Sequence, residues 1–168
     1  MTTNTIETTR TVKVFRVYIR ASAEAVWEAI TSPEWTAKYG YQARAEYDLR
    51  PGGAFASHAT EEMLGMGLPD VVVDGEVVEA DPPHRLVHTW RFHFAPEQVA
   101  EGFTTITWDV HAEEGGVTRL TVSHDVTGAP IMSEVIDGEG ALGEGGGGWA
   151  WVLSDLKSLL ETGTILAG

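Results

Sequence analysis

The chain has 168 residues, enough for one well-formed hydrophobic core, and no proline- or serine-rich linker divides it, so a single domain is expected. Its 25 acidic residues against 11 basic ones give a formal net charge of −14, which repels phosphate backbones and argues against nucleic acid as a partner. The absence of cysteine excludes disulfides, thiolate nucleophiles and thiolate metal sites.

The start of the chain carries no targeting signal that we recognise. Residues 1–10 lack the apolar core of a signal peptide, and no apolar run approaches the roughly 20 residues needed to span a bilayer. We therefore predict an acidic cytoplasmic protein without membrane insertion. Residues 1–10 are expected to be a flexible segment, and residues 11–163 are expected to form the single domain.

The first predicted elements are a strand and two short helices. Residues 12–20 alternate in polarity and are rich in β-branched and aromatic types, which predicts a strand. Ser22 is typical of a helix N-cap and Pro33 is typical of a first helical position. Two short helices are therefore expected between residues 23 and 40.

Six strands are predicted next. They begin with a hairpin of residues 42–49 and 54–59, followed by residues 71–79, where Gly75 indicates a bulge or bend. The intervening residues 61–70 have no assignable period and are interpreted as a mobile loop, a candidate lid. Three further strands alternate clearly, and their inward residues are expected to be Leu86, His88, Trp90, Phe92 and Phe94, then Thr104, Ile106, Trp108 and Val110, then Thr118, Leu120, Val122 and His124.

A long helix is predicted after the glycine run 145–148. One helical face collects the apolar residues Trp149, Val152, Leu153, Leu156 and Leu160. This stripe must be buried, and the inner face of the sheet is the available partner. Each glycine inside a helix costs about 0.8–1 kcal/mol relative to alanine, so we interpret the run as a flexible hinge before the helix.

Several local sequences are similar to one family. In chain order they are Ala21–Thr31, Leu49–Gly53, Gly75–Trp90, Thr118–Thr121 and Gly148–Trp149 with Leu153. They resemble the Hsp90-ATPase-activator-like (AHSA1-like) branch of the START-like (SRPBCC) superfamily over nearly the whole chain. The resemblance implies an α+β helix-grip fold, START-like or Bet v 1-like: a curved antiparallel β-sheet wrapped around a long C-terminal α-helix, with two short helices after the first strand.

The superfamily includes lipid carriers, polyketide cyclases and hormone receptors, so the fold alone does not assign a function. Aromatic, methionine and histidine side chains are predicted to converge between sheet and helix, as in a typical small-molecule site. We therefore predict that a small hydrophobic or aromatic ligand binds in a cavity there. The predicted ligand-binding residues are Phe55, His58, Met63, Met66, Trp90, Phe92, Phe94, Trp108, His124, Trp149 and Leu153.

Three alternative functions are left open. In the first, an enzyme of the polyketide cyclase or hydrolase type uses His88 or His124 as its catalytic general base. No Ser–His–acid order or carboxylate pair accompanies either histidine, which weakens that alternative. The second is sequestration of a toxic metabolite for self-resistance, and the third is an Hsp90 co-chaperone-like interaction module. Homodimerisation is also left open.

No metal and no cofactor are expected. A zinc site would need His58 as a third inward ligand beside His88 and His124, and no closely spaced pair indicates one. The glycine-rich residues 138–148 match the dinucleotide-binding spacing formally. Acidic residues line this run and no βαβ unit is predicted, so the match is rejected.

Overall fold

The computed structural model describes residues 9–166, so residues 1–8 of the predicted flexible segment lie outside the described residues. Within that range the chain forms seven β-strands and six α-helices. The strands are β1 (Val12–Ile19), β2 (Arg44–Tyr47), β3 (Ala54–His58), β4 (Val71–Asp81), β5 (Arg85–Phe92), β6 (Thr104–Ala112) and β7 (Thr118–Asp125). The helices are α1 (Ala23–Thr31), α2 (Pro33–Thr36), α3 (Glu61–Gly65), α4 (Pro96–Glu101), α5 (Pro130–Ile136) and α6 (Gly148–Thr162).

The seven strands form one sheet in the order β1-β7-β6-β5-β4-β3-β2, and every neighbouring pair is antiparallel. Strand β4 contains the predicted irregularity: its register against β5 shifts between Val77 and Glu79. A Cβ atom at Gly75 would lie 1.9 Å from the carbonyl oxygen of Thr89, so only glycine permits this close approach. The bulge bends the strand and increases its twist, which contributes to the curvature of the sheet.

The terminal helix α6 lies on the inner face of this sheet. Trp149, Leu153 and Leu156 are buried there, as the apolar stripe predicts. The predicted alternation is also confirmed for β6 and β7, whose inward residues are all buried. The fold is therefore the predicted helix-grip arrangement, in which a curved antiparallel sheet holds one long C-terminal helix.

The helices correct the sequence analysis at three places. The two short helices α1 and α2 are confirmed, and Ser22 Oγ accepts a hydrogen bond from the Ala25 amide as the N-cap of α1. Residues 61–70, expected to be an irregular loop, begin instead with α3, for which Thr60 is the N-cap. Helices α4 and α5 were not predicted, although each has a proline in its first turn. No helix in the described range combines the length and apolar character that crossing a membrane requires.

The glycine run before α6 forms a compact turn. Gly145 and Gly148 have φ values of 75° and 61°, which favour glycine. A Cβ atom at Gly146 would lie 2.4 Å from the carbonyl carbon of Gly140, so the run also packs backbone against backbone. The Tyr41 hydroxyl accepts a hydrogen bond from the Gly147 amide at 2.9 Å, which also stabilises the turn. Glycine therefore has a steric reason here, and the hinge interpretation stays a prediction.

Candidate functional site

Large aromatic side chains meet where the first turn of α6 crosses the middle of the sheet. The ring of Trp149 lies 4.9 Å from that of Trp90 and 5.2 Å from that of Trp108, both in edge-to-face geometry. The Trp90 ring also lies 5.6 Å from the imidazole of His124. Such pairs contribute about 0.5–1.5 kcal/mol each beyond their buried area, so they anchor the start of α6 to β5, β6 and β7.

The same contacts continue toward the other end of the sheet. The rings of Tyr47 and Phe55 stack at 4.7 Å across the β2–β3 hairpin, and Phe55 lies 4.5 Å from His88. We call the connected set the aromatic cluster: Tyr47, Phe55, His88, Trp90, Phe92, Trp108, His124 and Trp149. It joins the main hydrophobic core to a smaller second core built on Ala45, Phe55, Val72 and Val73.

Hydrogen bonds fix the tautomer of His88. The indole N–H of Trp108 donates to His88 Nε2 at 3.0 Å, so this nitrogen carries the lone pair. The proton is then on Nδ1, which donates to the carbonyl oxygen of Thr89 at 2.9 Å. Burial lowers the pKa of His88 to about 4, which keeps the imidazole neutral near pH 7.

His124 has the opposite tautomer, with the lone pair on Nδ1 and the proton on Nε2. The indole N–H of Trp149 donates to its Nδ1 at 3.1 Å, so the proton is on Nε2, which donates to Thr104 Oγ1 at 2.6 Å. The Thr104 hydroxyl in turn donates to the carbonyl oxygen of Trp90 at 3.2 Å. Burial first, and then the nearby His88, lower the pKa of His124 to about 3.

The hydrogen bonds from the two indole N–H groups occupy the lone pairs of His88 and His124, the candidate catalytic residues. A general base needs an accessible lone pair, and in both His88 and His124 that lone pair accepts an indole N–H. Either histidine would have to lose its tryptophan partner before it accepted a proton from a substrate. The enzyme hypothesis therefore gains no support from this geometry and stays a prediction.

Trp90 is the exception in this hydrogen-bond network. Its Nε1 atom is buried and is the one buried side-chain nitrogen or oxygen without a hydrogen-bond partner among the described residues. An unsatisfied buried donor costs about 1–3 kcal/mol, and native proteins contain few of them. Trp90 also contacts both hydrophobic cores, so the unpaired N–H lies at their junction.

The structure does not bring His58 or Met66 to the aromatic cluster. His58 lies on the outer face of the sheet, where its Nε2 is 3.2 Å from a carboxylate oxygen of Glu46. The expectation that it points inward is wrong, because alternation along β3 places Phe55 inward and His58 outward. Met66 follows α3 and is 68% exposed.

The remaining predicted residues lie at the margin of the cluster or beneath it. Phe94 lies beyond the end of β5 and is 37% exposed, so it lies at the solvent-facing edge of the cluster, with its ring centroid 5.0 Å from that of Phe92. Met63 packs against the second core, and Leu153 is on the buried face of α6. Tyr47 is not among the predicted ligand-binding residues. The alternation of β2 places it on the same face as Ala45, and the hairpin pairs it with Phe55, which together indicate an inward position.

Two clefts lie on the described part of the chain, and the second is lined in part by Tyr47 of the aromatic cluster. One of about 380 Å³ lies between α5 and the glycine-rich loop. The other, of about 310 Å³, lies on the outer face of the β2–β3 hairpin. The space between sheet and helix is filled by rings in contact, so a ligand there must separate them. Among residues 9–166 no group of three or more metal-ligating side chains is assembled.

A seven-stranded antiparallel sheet that holds a terminal helix against an aromatic inner face defines the helix-grip class. The chain belongs to the family described as Activator of Hsp90 ATPase homolog 1-like protein, whose model matches residues 20–161. The resemblance to the Hsp90-ATPase-activator-like branch of the START-like superfamily is thereby confirmed. A search of curated proteins gave no match.

Solved structures give the same fold. The solution structure of CalU16 from Micromonospora echinospora is 24% identical, with a TM-score of 0.60 over 94% of this chain and 69% of that one. In the crystal structure of CalU16 the match spans 64% of that chain. DynU16, described as a protein in the dynemicin biosynthetic locus, is 25% identical, with a TM-score of 0.63 over 92% of this chain and 48% of its own. An HSP90 activator from Plasmodium falciparum, PFC0360w, is 22% identical, with a TM-score of 0.52 over 68% of this chain and 71% of its own.

Proposed function

We propose that the protein binds a small apolar or aromatic molecule at the aromatic cluster. The observation that carries this proposal is the unpaired indole N–H of Trp90 at the junction of the two cores. Other rings contact the Trp90 ring on several sides, and the lowered pKa values of His88 and His124 keep both imidazoles neutral near pH 7. An apolar site with a few directed polar groups is the usual form of a small-molecule site.

Access is proposed from the side of α3. This helix contributes no buried residue to the fold, and the second core on which its Met63 packs is also contacted by Phe92, which is only partly covered. The opposite side is closed more firmly. There the buried Asp155 of α6 accepts a hydrogen bond from the Gly40 amide at 2.8 Å, and Trp149 is bonded to His124. Opening at α3 therefore breaks fewer buried contacts than moving α6.

Sequestration of a toxic natural product is the second candidate function. The observation that favours it is the likeness to DynU16, whose description refers to a biosynthetic locus. Sequestration needs the same binding site as the proposed ligand binding, so the first experiment is the same for both. Turnover of the bound molecule would instead support the enzyme alternative.

Native mass spectrometry of freshly purified protein tests whether a small molecule copurifies, and titration with fluorene tests the site itself. Fluorene is planar and apolar, and we expect it to raise the melting temperature and to quench tryptophan fluorescence. Because a buried aromatic contact contributes about 1.5–3 kcal/mol, Trp90→Ala should weaken fluorene binding about 10-fold or more.

Tyr18→Ala is the matched control, since Tyr18 is an aromatic residue of β1 that is 51% exposed. It should leave the affinity for fluorene unchanged. The proposal fails if wild-type protein shows no saturable binding, or if Trp90→Ala and Tyr18→Ala bind fluorene equally well.

A further inference from the structure

We infer that the ligand of the aromatic cluster is an uncharged molecule carrying a hydrogen-bond acceptor, such as a ketone, quinone or ester oxygen, that pairs with the indole N–H of Trp90. This inference rests on the proposed function and specifies the chemistry of its ligand. It comes from the indole and imidazole groups of the cluster taken together, because they leave one N–H unused and no imidazole lone pair free.

The other indole and imidazole groups of the cluster all have partners. The indole N–H groups of Trp108 and Trp149 are taken by the two histidine lone pairs. The imidazole N–H groups are taken by the Thr89 carbonyl and the Thr104 hydroxyl. A ligand donor placed beside Trp90 and the two histidines would therefore have to break one of these bonds, whereas an acceptor satisfies Trp90 without breaking any.

Charge excludes the ionic versions of such a ligand. Lys13, whose positive charge acts on His124, is already bonded to Asp137 and to the Ser133 carbonyl. A carboxylate would be buried without a counter-ion, and burial opposes protonation of His88 and His124. At the indole edge of Trp90 a cation would meet an N–H donor rather than an acceptor. The ligand group that fits is therefore neutral and accepts a hydrogen bond from the indole N–H of Trp90.

Three probes with the same fluorene ring system separate these cases: fluorene, which has no acceptor, 9-fluorenone, which has a ketone, and 9-fluorenecarboxylate, which is an anion. Their dissociation constants are measured with wild-type protein, with Trp90→Phe, which keeps an aromatic ring and removes the N–H, and with Trp35→Phe. Trp35 is a partly buried tryptophan of α2 outside the aromatic cluster, so it controls for the same chemical change elsewhere.

We expect Trp90→Phe to weaken 9-fluorenone about 2- to 12-fold more than it weakens fluorene, which is the range for one neutral hydrogen bond. Trp35→Phe should change the dissociation constants of fluorene and 9-fluorenone by the same factor. In wild-type protein 9-fluorenecarboxylate should bind at least about 10-fold more weakly than fluorene, because its charge is desolvated without a partner. In ¹H–¹⁵N spectra of wild-type protein, 9-fluorenone should move the Trp90 indole proton downfield and fluorene should not.

The outcomes separate the two claims. If both neutral probes bind and Trp90→Phe weakens them by the same factor, with no downfield movement of the indole proton, the acceptor inference is overturned and the proposed function stands. Tight binding of the carboxylate has the same consequence. If neither neutral probe binds wild-type protein, the proposed function fails and the inference fails with it.

Discussion

Lowering the pH should destabilise the fold through the two buried histidines. In each histidine, the nitrogen that would take the proton already accepts an indole N–H. Protonation would therefore place an imidazole N–H against the indole N–H, and the hydrogen bond would be lost. Their pKa values fall from 6.5 to about 4 for His88 and about 3 for His124. Below pH 6.5 the unfolded chain therefore binds more protons than the folded one, and the free energy of unfolding decreases as the pH falls toward these values.

The magnitude follows from the same values. Between pH 7.5 and pH 5 each histidine should cost about 2 kcal/mol of unfolding free energy, so the pair should cost about 4 kcal/mol. Small domains are stable by about 5–15 kcal/mol, which makes this loss readily measurable. Asp74 and Asp125, whose ion-pair and hydrogen-bond partners lower their pKa values, remain ionised in this window and do not add to the loss.

Urea denaturation at several pH values between 7.5 and 5 measures the effect. The informative variant is His124→Gln, because its amide oxygen still offers an acceptor to Trp149 and it does not titrate. It should lose about 2 kcal/mol over this range, about half the wild-type loss. His111→Gln is the control, since His111 lies exposed on β6 and should not change the wild-type slope.

Two results would refute this reasoning. A wild-type protein whose stability is constant from pH 7.5 to 5 would mean that the histidines are not buried in the neutral form. A slope for His124→Gln equal to that of wild type would mean that the acid sensitivity comes from other groups.

Two further predictions concern the approach to α6 and are measured by urea denaturation at pH 7.5. Gly146→Ala places a Cβ atom 2.4 Å from backbone and should destabilise by about 1–3 kcal/mol, whereas Gly143→Ala has open space around its Cβ and should change stability by less than about 1 kcal/mol. Equal effects of the two changes would contradict the close backbone packing of the run. Asp155→Asn leaves one of two backbone amide donors without a carboxylate oxygen and should cost about 1–3 kcal/mol, while Asp70→Asn at an exposed position should be neutral. An unchanged stability of Asp155→Asn would mean that these two hydrogen bonds do not hold α6.

Much of the fold was predictable because its signals are local. Alternation with a period of two assigned the inward residues of β6 and β7, and Ser22 and Pro33 marked the starts of α1 and α2. The same rule places His58 on the face opposite to Phe55, against the expectation that it points inward. Helices α3 to α5 have five to seven residues, too few for the helical period to be recognisable.

The sequence by itself determined which faces of the strands and of α6 are apolar, because the direction of a side chain follows from its position along a regular element. Only the tertiary structure decided which polar atoms of those faces meet. Trp149 donates to His124 and Trp108 to His88 across different elements, and these pairings depend on register, bulges and the position of α6. No local pattern encodes such distances. For that reason the sequence could predict an aromatic interior, but it could not single out Trp90 as the residue whose N–H is left without a partner.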